Sequence, residues 1–167
     1  MIKLNFKHSK KEYVRAARKN LFLSKTIKKS EIVILFIISI YSIFDAYSTS
    51  FSSSSVVLLT ICILASLTLT TLYFFVPIKN FKSIEKLQEQ FYLEFSDEEI
   101  LVKTSKANST LKWNIFSKIV STKEFYYFIQ HHPRIYTLIP KRAFTSLEEL
   151  EEFEKMVIRH LKIKNVD

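Results

Sequence analysis

The residues of this chain that could do chemistry are few, and their spacing does not assemble a recognisable site. His131 and His132 are adjacent, but side chains that follow each other in a turn diverge, and no Cys or carboxylate lies close to them in sequence. Cys62 is the single cysteine and lies in an apolar run, which excludes a disulfide within the chain. The chain has no glycine, which excludes Gly-rich phosphate loops, dinucleotide-binding fingerprints and a nucleophile elbow. We therefore predict neither an enzyme nor a bound cofactor or metal ion.

Basic residues are the remaining candidates for a functional site. Lys141 and Arg142 follow a predicted strand end, where a basic pair could meet a phosphate or an acidic group, or could simply be solvated. Residues 1–30 contain ten Lys or Arg against Glu12 alone. The members of this group that could contact anionic lipid or a partner are Lys10, Lys11, Arg15, Arg18, Lys19, Lys28 and Lys29. An alternative, compatible hypothesis is that they only fix the orientation of the chain in a membrane.

Charge is segregated along the chain, whose formal net charge is +9. Residues 32–78 contain a single charged side chain, Asp45, whereas residues 79–167 carry 15 basic and 13 acidic residues and are nearly neutral. The excess charge therefore lies in a basic run directly before an apolar segment. This position favours anionic lipid headgroups over nucleic acid, so we predict no nucleic-acid partner.

Two apolar segments predict a transmembrane helical hairpin over residues 31–78. Residues 56–78 are 23 residues without a charge, and as a helix they would be about 34 Å long, enough to cross a hydrocarbon core of about 30 Å. Residues 32–47 are apolar apart from Asp45, and a span that reaches Phe51 has about 20 residues. The polar connection, roughly residues 48–55, is so short that the two helices must be antiparallel. Pro77 is predicted to mark the exit from the second helix.

The distribution of basic residues predicts the orientation of the hairpin. The N-terminal flank holds ten basic residues, the connection holds none, and Lys79, Lys82 and Lys86 follow the second span. Lys and Arg accumulate on the cytoplasmic side, so we predict a two-pass protein with both termini in the cytoplasm. A cleaved signal peptide is a poor alternative, because the leading region is too long and no A-x-A-like site follows it.

Asp45 is the one intramembrane polar candidate. A carboxylate deep in the bilayer would indicate function, but Asp45 lies near the outer end of its span, where water or headgroups can reach it. An interfacial residue and a role in a partner contact or an ion step both remain open.

The N-terminal region, residues 1–30, is predicted to form a basic cytoplasmic strand and a juxtamembrane helix. Ile2, Leu4 and Phe6 alternate with polar residues, which is typical of a half-buried strand. The strand is too short to be stable alone, so we expect it to pair with the sheet of the C-terminal region. Ser9 and Glu12 form a capping box, which predicts a helix from about Lys10.

Residues 79–167 are predicted to form a cytoplasmic α+β domain. A linking helix over residues 81–90 is followed by six strands, at residues 91–95, 99–104, 109–113, 116–122, 124–130 and 134–139. In the turn before the third strand, Asn108 is predicted to take the left-handed conformation that glycine would normally adopt.

A closing helix follows the strands. Thr145 or Ser146 is predicted to cap this helix, and Ser146 with Glu149 forms a second capping box. The apolar stripe of the helix consists of Leu147, Leu150, Phe153, Val157 and Leu161. The pattern predicts antiparallel strands in a curled sheet or partial barrel, with one open end blocked by this helix.

Three runs of this region carry a family resemblance: FSDEEILVKTSKANSTLKW, IFSKIVSTKEFYYFI, and LIPKRAF with SLEELEEF. Together with the two apolar spans, they resemble the YcxB-like family of bacterial membrane proteins. The C-terminal domain of that family is related to bacterial pleckstrin-homology-like (PH-like) domains. The resemblance implies a PH-like bent antiparallel sheet with a C-terminal helix for residues 79–167, in a protein of the bacterial inner membrane. It implies no catalytic residue and no ligand.

The leading functional hypothesis is a membrane-anchored, non-enzymatic binding or adaptor protein whose PH-like domain binds a protein, peptide or lipid partner at the inner leaflet. A first alternative is a self-immunity protein whose hairpin blocks a membrane-active bacteriocin or toxin. A second alternative is an accessory subunit of a larger membrane complex. The sequence leaves the identity of the partner and the oligomeric state open.

Overall fold

A computed structural model describes residues 1–132 and 134–166 and divides the chain into two compact units. Unit 1 combines Met1–Ala16 with Ile84–Asp167, of which Asp167 lies outside the described residues. Unit 2 is Ala17–Ser83. The helix α1 (Lys10–Leu23) contributes its first half to unit 1 and its second half to unit 2.

Unit 2 contains two long apolar helices. The first is α2 (Lys29–Ser48). The second runs from Ser53 to Ser83 and consists of α3 (Ser53–Thr70), a π-helical turn (Thr71–Phe75) and α4 (Val76–Ser83). Both are long and apolar enough to cross a membrane, and 11% of the most apolar window of each is buried inside the protein.

The two helices pack through small side chains. Ser42 Oγ lies 3.5 Å from Cys62 Sγ, and Thr49 donates a hydrogen bond to Ser55 Oγ at 3.2 Å. Both contacts fit one antiparallel register. Ala46 is also buried, and most of the large apolar side chains of α2 and α3 are exposed instead. Small residues at a helix contact let the two backbones approach closely, as in membrane helix pairs.

The turns of unit 2 are made without glycine. Lys25, Ser50 and Phe51 have positive φ values of 55°, 51° and 60°. The prediction of a left-handed Asn108 is wrong, since Asn108 instead begins a strand. Lys25 lies in the short connection between α1 and α2. Ser50 and Phe51 lie between α2 and α3, where the chain reverses direction over very few residues.

Two predicted boundaries after the hairpin are wrong. The helix does not end at Pro77 but continues to Ser83, because the π-helical turn before Pro77 accommodates its missing N–H. The predicted linking helix over residues 81–90 is not formed. Its place is taken by the end of α4 and a short 3-10 turn, Glu85–Gln88.

The first sheet of unit 1 confirms that the N-terminal strand joins the C-terminal region. Its order is β1-β2-β3-β4, all antiparallel, with β1 (Ile2–Lys7), β2 (Gln90–Phe95), β3 (Glu99–Lys103) and β4 (Asn108–Lys112). The inward residues of β1 are 2–3% exposed, as the alternating pattern predicted. A strand of six residues gains its stability from this long-range pairing.

The second sheet has the order β7-β6-β5-β8. Three of its strands are antiparallel neighbours: β5 (Phe116–Ser121), β6 (Phe125–Gln130) and β7 (Tyr136–Pro140). The five residues Phe125–Ile129 are all buried, as predicted for a covered central strand. The fourth strand, β8 (Ile163–Asn165), pairs parallel with β5 and was not predicted, because three residues carry no periodic signal.

The closing helix is α5 (Leu147–His160), with Ser146 as its N-cap. Phe153 and Val157 are fully buried in the core between the strands and the helix, as predicted. Leu147 was predicted to belong to the packed stripe, but it is 74% exposed, and Met156 is buried instead. The first turn of the helix therefore lies beyond the edge of the core.

The architecture is thus two apolar helices followed by two four-stranded, mostly antiparallel sheets and a C-terminal helix. Neither sheet closes on itself among the described strands. The partial barrel and the PH-like fold stay predictions.

Candidate functional site

Arg142 is engaged within unit 1. Its Nε and terminal nitrogen donate to Glu12 Oε1 and Oε2, each at 2.8 Å, and the terminal nitrogen also donates to the carbonyl oxygen of Lys7 at 2.8 Å. This bidentate pair holds the pKa of Glu12 below its ordinary value and raises that of Arg142. One edge of the guanidinium is therefore committed to joining the loop after β7 to the start of α1.

Lys141 points to a different partner than its neighbour. Its ammonium nitrogen lies 4.6 Å from the centroid of the Tyr126 ring. The hydroxyl of Tyr126 donates to Glu154 on α5, and burial together with this carboxylate raises the pKa of Tyr126. Such a cation–π contact contributes about 0.5–1 kcal/mol at an exposed site. The structure therefore does not bring Lys141 and Arg142 together on one ligand.

The basic residues of the N-terminal region are divided between the two units. Lys10, Lys11 and Arg15 belong to unit 1, and Arg15 pairs with Glu124 at 2.7 Å. The predicted capping box at Ser9 is confirmed, because the Ser9 and Glu12 side chains each accept from the other's backbone N–H. Lys10 and Lys11 are exposed and make no ion pair within the described chain.

Arg18, in unit 2, binds the backbone at the π-helical turn. Its Nε donates to the carbonyl oxygen of Tyr73 at 3.1 Å, and its Cζ lies 4.9 Å and 5.1 Å from the ring centroids of Tyr73 and Phe74. In a regular helix the Tyr73 carbonyl would accept from residue 77, but that residue is Pro77, which has no N–H. Arg18 therefore donates to a carbonyl to which Pro77 cannot donate.

The other basic candidates of unit 2 are Lys28 and Lys29 at the start of α2, and Lys19 on α1. Lys28 pairs with Glu31, with Nζ 3.3 Å from Oε1, and its backbone N–H donates to the same carboxylate. Lys29 is exposed, and Lys19 is half-buried. Neither makes an ion pair among the described residues.

Asp45 lies on α2 one turn before the end of the helix and is half-buried. Its backbone carbonyl accepts from both the N–H and the hydroxyl of Thr49, at 2.9 Å and 2.7 Å. The carboxylate makes no ion pair within the described chain. This geometry is compatible with both hypotheses for Asp45, an interfacial residue and a role in a partner contact or an ion step.

The two adjacent histidines lie in the turn between β6 and β7, and both are exposed. Nδ1 of His132 accepts a hydrogen bond from the backbone of Arg134 at 3.3 Å. In the described part of the chain, no group of three or more His, Cys, Asp or Glu side chains is arranged to hold a metal ion.

Sequence reasoning missed a groove of about 450 Å³ between α5 and β8. Its lining residues are Glu154, Ile158, Leu161, Lys162, Ile163 and Asn165. Ile158 is 63% exposed, although it lies on a helix whose other large apolar residues beyond the first turn are mostly covered. Ile158 lies outside the predicted apolar stripe of the helix, and this position in the sequence could have indicated that its side chain is exposed. The groove itself depends on β8, which the sequence did not predict.

Comparison with known proteins is informative for unit 1 alone. The family model described as YcxB-like protein matches residues 95–157, which confirms the resemblance over that segment. The match begins at the end of β2 and ends within α5. Neither the curated proteins nor the solved structures give a significant match.

Proposed function

We propose that this chain is a membrane-anchored, non-enzymatic binding protein of the bacterial inner membrane. Unit 2 spans the bilayer as a hairpin, and unit 1, a PH-like module, binds a protein or peptide partner at the cytoplasmic face. The observation that supports membrane spanning most directly is the arrangement of side chains on α2 and α3. Ser42, Ser55 and Cys62 are buried between the helices, whereas large residues such as Phe36 and Phe44 are 66% and 69% exposed.

This pattern favours lipid over water around the hairpin. Exposing so many large apolar side chains to water would be strongly unfavourable, at about 25 cal/mol for each Å² of apolar surface. The core helix of a soluble protein would have these residues covered. The helix lengths agree, because the 20 residues of α2 span about 30 Å, the thickness of a bilayer core.

The orientation with both termini in the cytoplasm is supported by the basic residues at one end of the hairpin. Lys28 and Lys29 precede α2, and Lys79 and Lys82 lie on α4, whereas the connection between α2 and α3 has no charged residue. In an antiparallel pair these four cations lie at the same end, which the positive-inside rule assigns to the cytoplasm.

The groove between α5 and β8 is the candidate surface for the partner. Ile158 offers an exposed apolar contact. Beside it, β8 is an edge strand of its sheet, and its residues Lys164 and Asn165 are exposed. A terminal strand can pair with an added extended peptide, and an apolar pocket beside it can receive one of the peptide's side chains. The geometry thus fits an extended peptide segment of another protein.

The test is crosslinking in the native membrane, followed by purification of the full chain in mild detergent and identification of stoichiometric proteins. We expect one partner to be retained by the wild-type chain and lost by Ile158→Asp. The matched control is Leu147→Asp, which places the same charge on an exposed leucine at the other end of α5.

The partner's identity separates the three functional classes. A membrane or signalling protein supports an adaptor, a multi-subunit assembly supports an accessory subunit, and a bacteriocin or toxin supports self-immunity. Absence of any stoichiometric partner, or equal loss from both variants, would contradict the binding site proposed here.

A further inference from the structure

The inner end of the hairpin carries positive charge that unit 2 does not neutralise. Unit 2 holds seven Lys and Arg against two acidic residues, Glu31 and Asp45. Glu31 pairs with Lys28, and Asp45 lies near the opposite end of α2. We call six of these cations the inner collar: Arg18, Lys19, Lys25, Lys28, Lys29 and Lys79.

The packing of the hairpin places much of the inner collar at one level. Ser42 contacts Cys62, and Lys29 lies thirteen residues before Ser42 just as Phe75 lies thirteen residues after Cys62. The start of α2 is therefore level with the end of the π-helical turn, and Lys79 follows about one helical turn later. This is the level at which the apolar surface of both helices ends, where lipid phosphates lie.

Arg18 is the fixed member of the inner collar. Its Nε is held by the Tyr73 carbonyl at 3.1 Å, and its Cζ lies near the Tyr73 and Phe74 rings. The carbonyl is available because Pro77 cannot donate to it. Arg18 makes no ion pair with the described residues. A guanidinium held in this way can offer its remaining N–H groups to a phosphate without first losing side-chain freedom.

We propose that the inner collar is a binding site for the headgroup phosphates of anionic phospholipids, with Arg18 as its fixed donor. The inference rests on the proposed membrane-spanning function. It assigns lipid recognition to unit 2 rather than to Lys141 and Arg142, which contact Tyr126 and Glu12 within unit 1.

The test uses the full chain in nanodiscs that contain equal amounts of phosphatidylcholine and phosphatidylglycerol. Native mass spectrometry after release counts the lipids that remain bound. We expect phosphatidylglycerol to be enriched in the wild-type chain, and Arg18→Gln to lower the enrichment about fivefold, the effect of one cation near an anionic surface. Lys25→Gln with Lys29→Gln should lower it further, and this second variant leaves the Arg18 contacts intact.

Two further variants test whether the lipid enrichment depends on the geometry of the site or only on the net charge of the chain. Pro77→Ala returns an N–H to the Tyr73 carbonyl, so it should lower the enrichment although no charge is lost. Arg134→Gln removes an exposed cation from unit 1 and should have no effect. Unchanged enrichment in Pro77→Ala would overturn the role of Arg18 as fixed donor.

The failure of this inference can be told apart from that of the proposed function. If the chain inserts but retains both lipids equally, the inner collar is not a lipid-binding site, although the hairpin still spans the membrane. The same conclusion follows if Arg134→Gln and Arg18→Gln lower the phosphatidylglycerol enrichment equally. If the chain does not insert into the nanodiscs, the proposed membrane-spanning function is wrong, and the inner collar proposal fails with it.

Discussion

Mild acidification should destabilise unit 1 through one buried histidine. His8 is 4% exposed, and its ring packs edge-on against Phe6 and Phe91, with centroids 5.1 Å and 5.5 Å away. Burial lowers the pKa of His8 from 6.5 to about 4, with Glu12 opposing the shift and Arg142 adding to it. Nδ1 of His8 has no hydrogen-bond partner among the described residues.

The direction and size of the effect follow from the two pKa values. Because the folded state binds the proton more weakly than the unfolded state, stability is lost as the pH falls from 6.5 towards 4. Between pH 7 and pH 5 the loss is about 2 kcal/mol. For a unit of roughly 100 residues this corresponds to a decrease in Tm of about 10 °C.

The measurement is thermal unfolding of the full chain in detergent, followed by the fluorescence of Trp113. This is the single tryptophan, it is buried in unit 1, and its indole N–H donates to the Ser96 carbonyl at 3.0 Å. His8→Phe should flatten the dependence of Tm on pH between 7 and 5, whereas His132→Gln, in an exposed turn, should keep the wild-type slope. Equal slopes in the wild type and in His8→Phe would refute the reasoning.

Three further perturbations test other parts of the structure. In a double-mutant cycle, Glu12→Gln and Arg142→Met should show a coupling of about 1 kcal/mol in urea unfolding, reduced by added salt since the arginine is largely exposed; additivity would mean that the bidentate pair does not form. By the same measurement, Phe153→Ala should lower the free energy of unfolding by about 3–5 kcal/mol, and Leu147→Ala should lower it by less than about 0.5 kcal/mol. Similar decreases in the two variants would contradict the position of the core. Ser42→Leu should destabilise the hairpin by about 1–3 kcal/mol in SDS titration followed by circular dichroism, and an unchanged midpoint would contradict the close packing of the two helices.

The local elements of this protein were predictable because each carries its own signal. The six strands of residues 90–140 lie within two residues of their predicted ends, since alternation and turn residues act over a few positions. The N-caps Ser9 and Ser146 were also correct, because a cap needs only a side chain and an N–H a few residues away. The two apolar helices were found from length and composition alone.

Contacts between distant residues were decided by the tertiary structure. The pairing of β8 with β5, the capture of the Tyr73 carbonyl by Arg18 and the bidentate bond between Arg142 and Glu12 join residues that are 40 to 130 positions apart. The sequence singled out Arg18 and Arg142 as cations, yet it could not show that the protein itself supplies a partner for each of them.

The sequence by itself therefore determined which segments are apolar, which alternate and where helices begin, because these properties depend on neighbouring residues. The tertiary structure decided which cations are committed to internal partners and which exposed surfaces remain for a ligand. The physical reason is that hydrogen bonds and ion pairs act over a few Å, and the chain reaches those distances only after its strands and helices have packed.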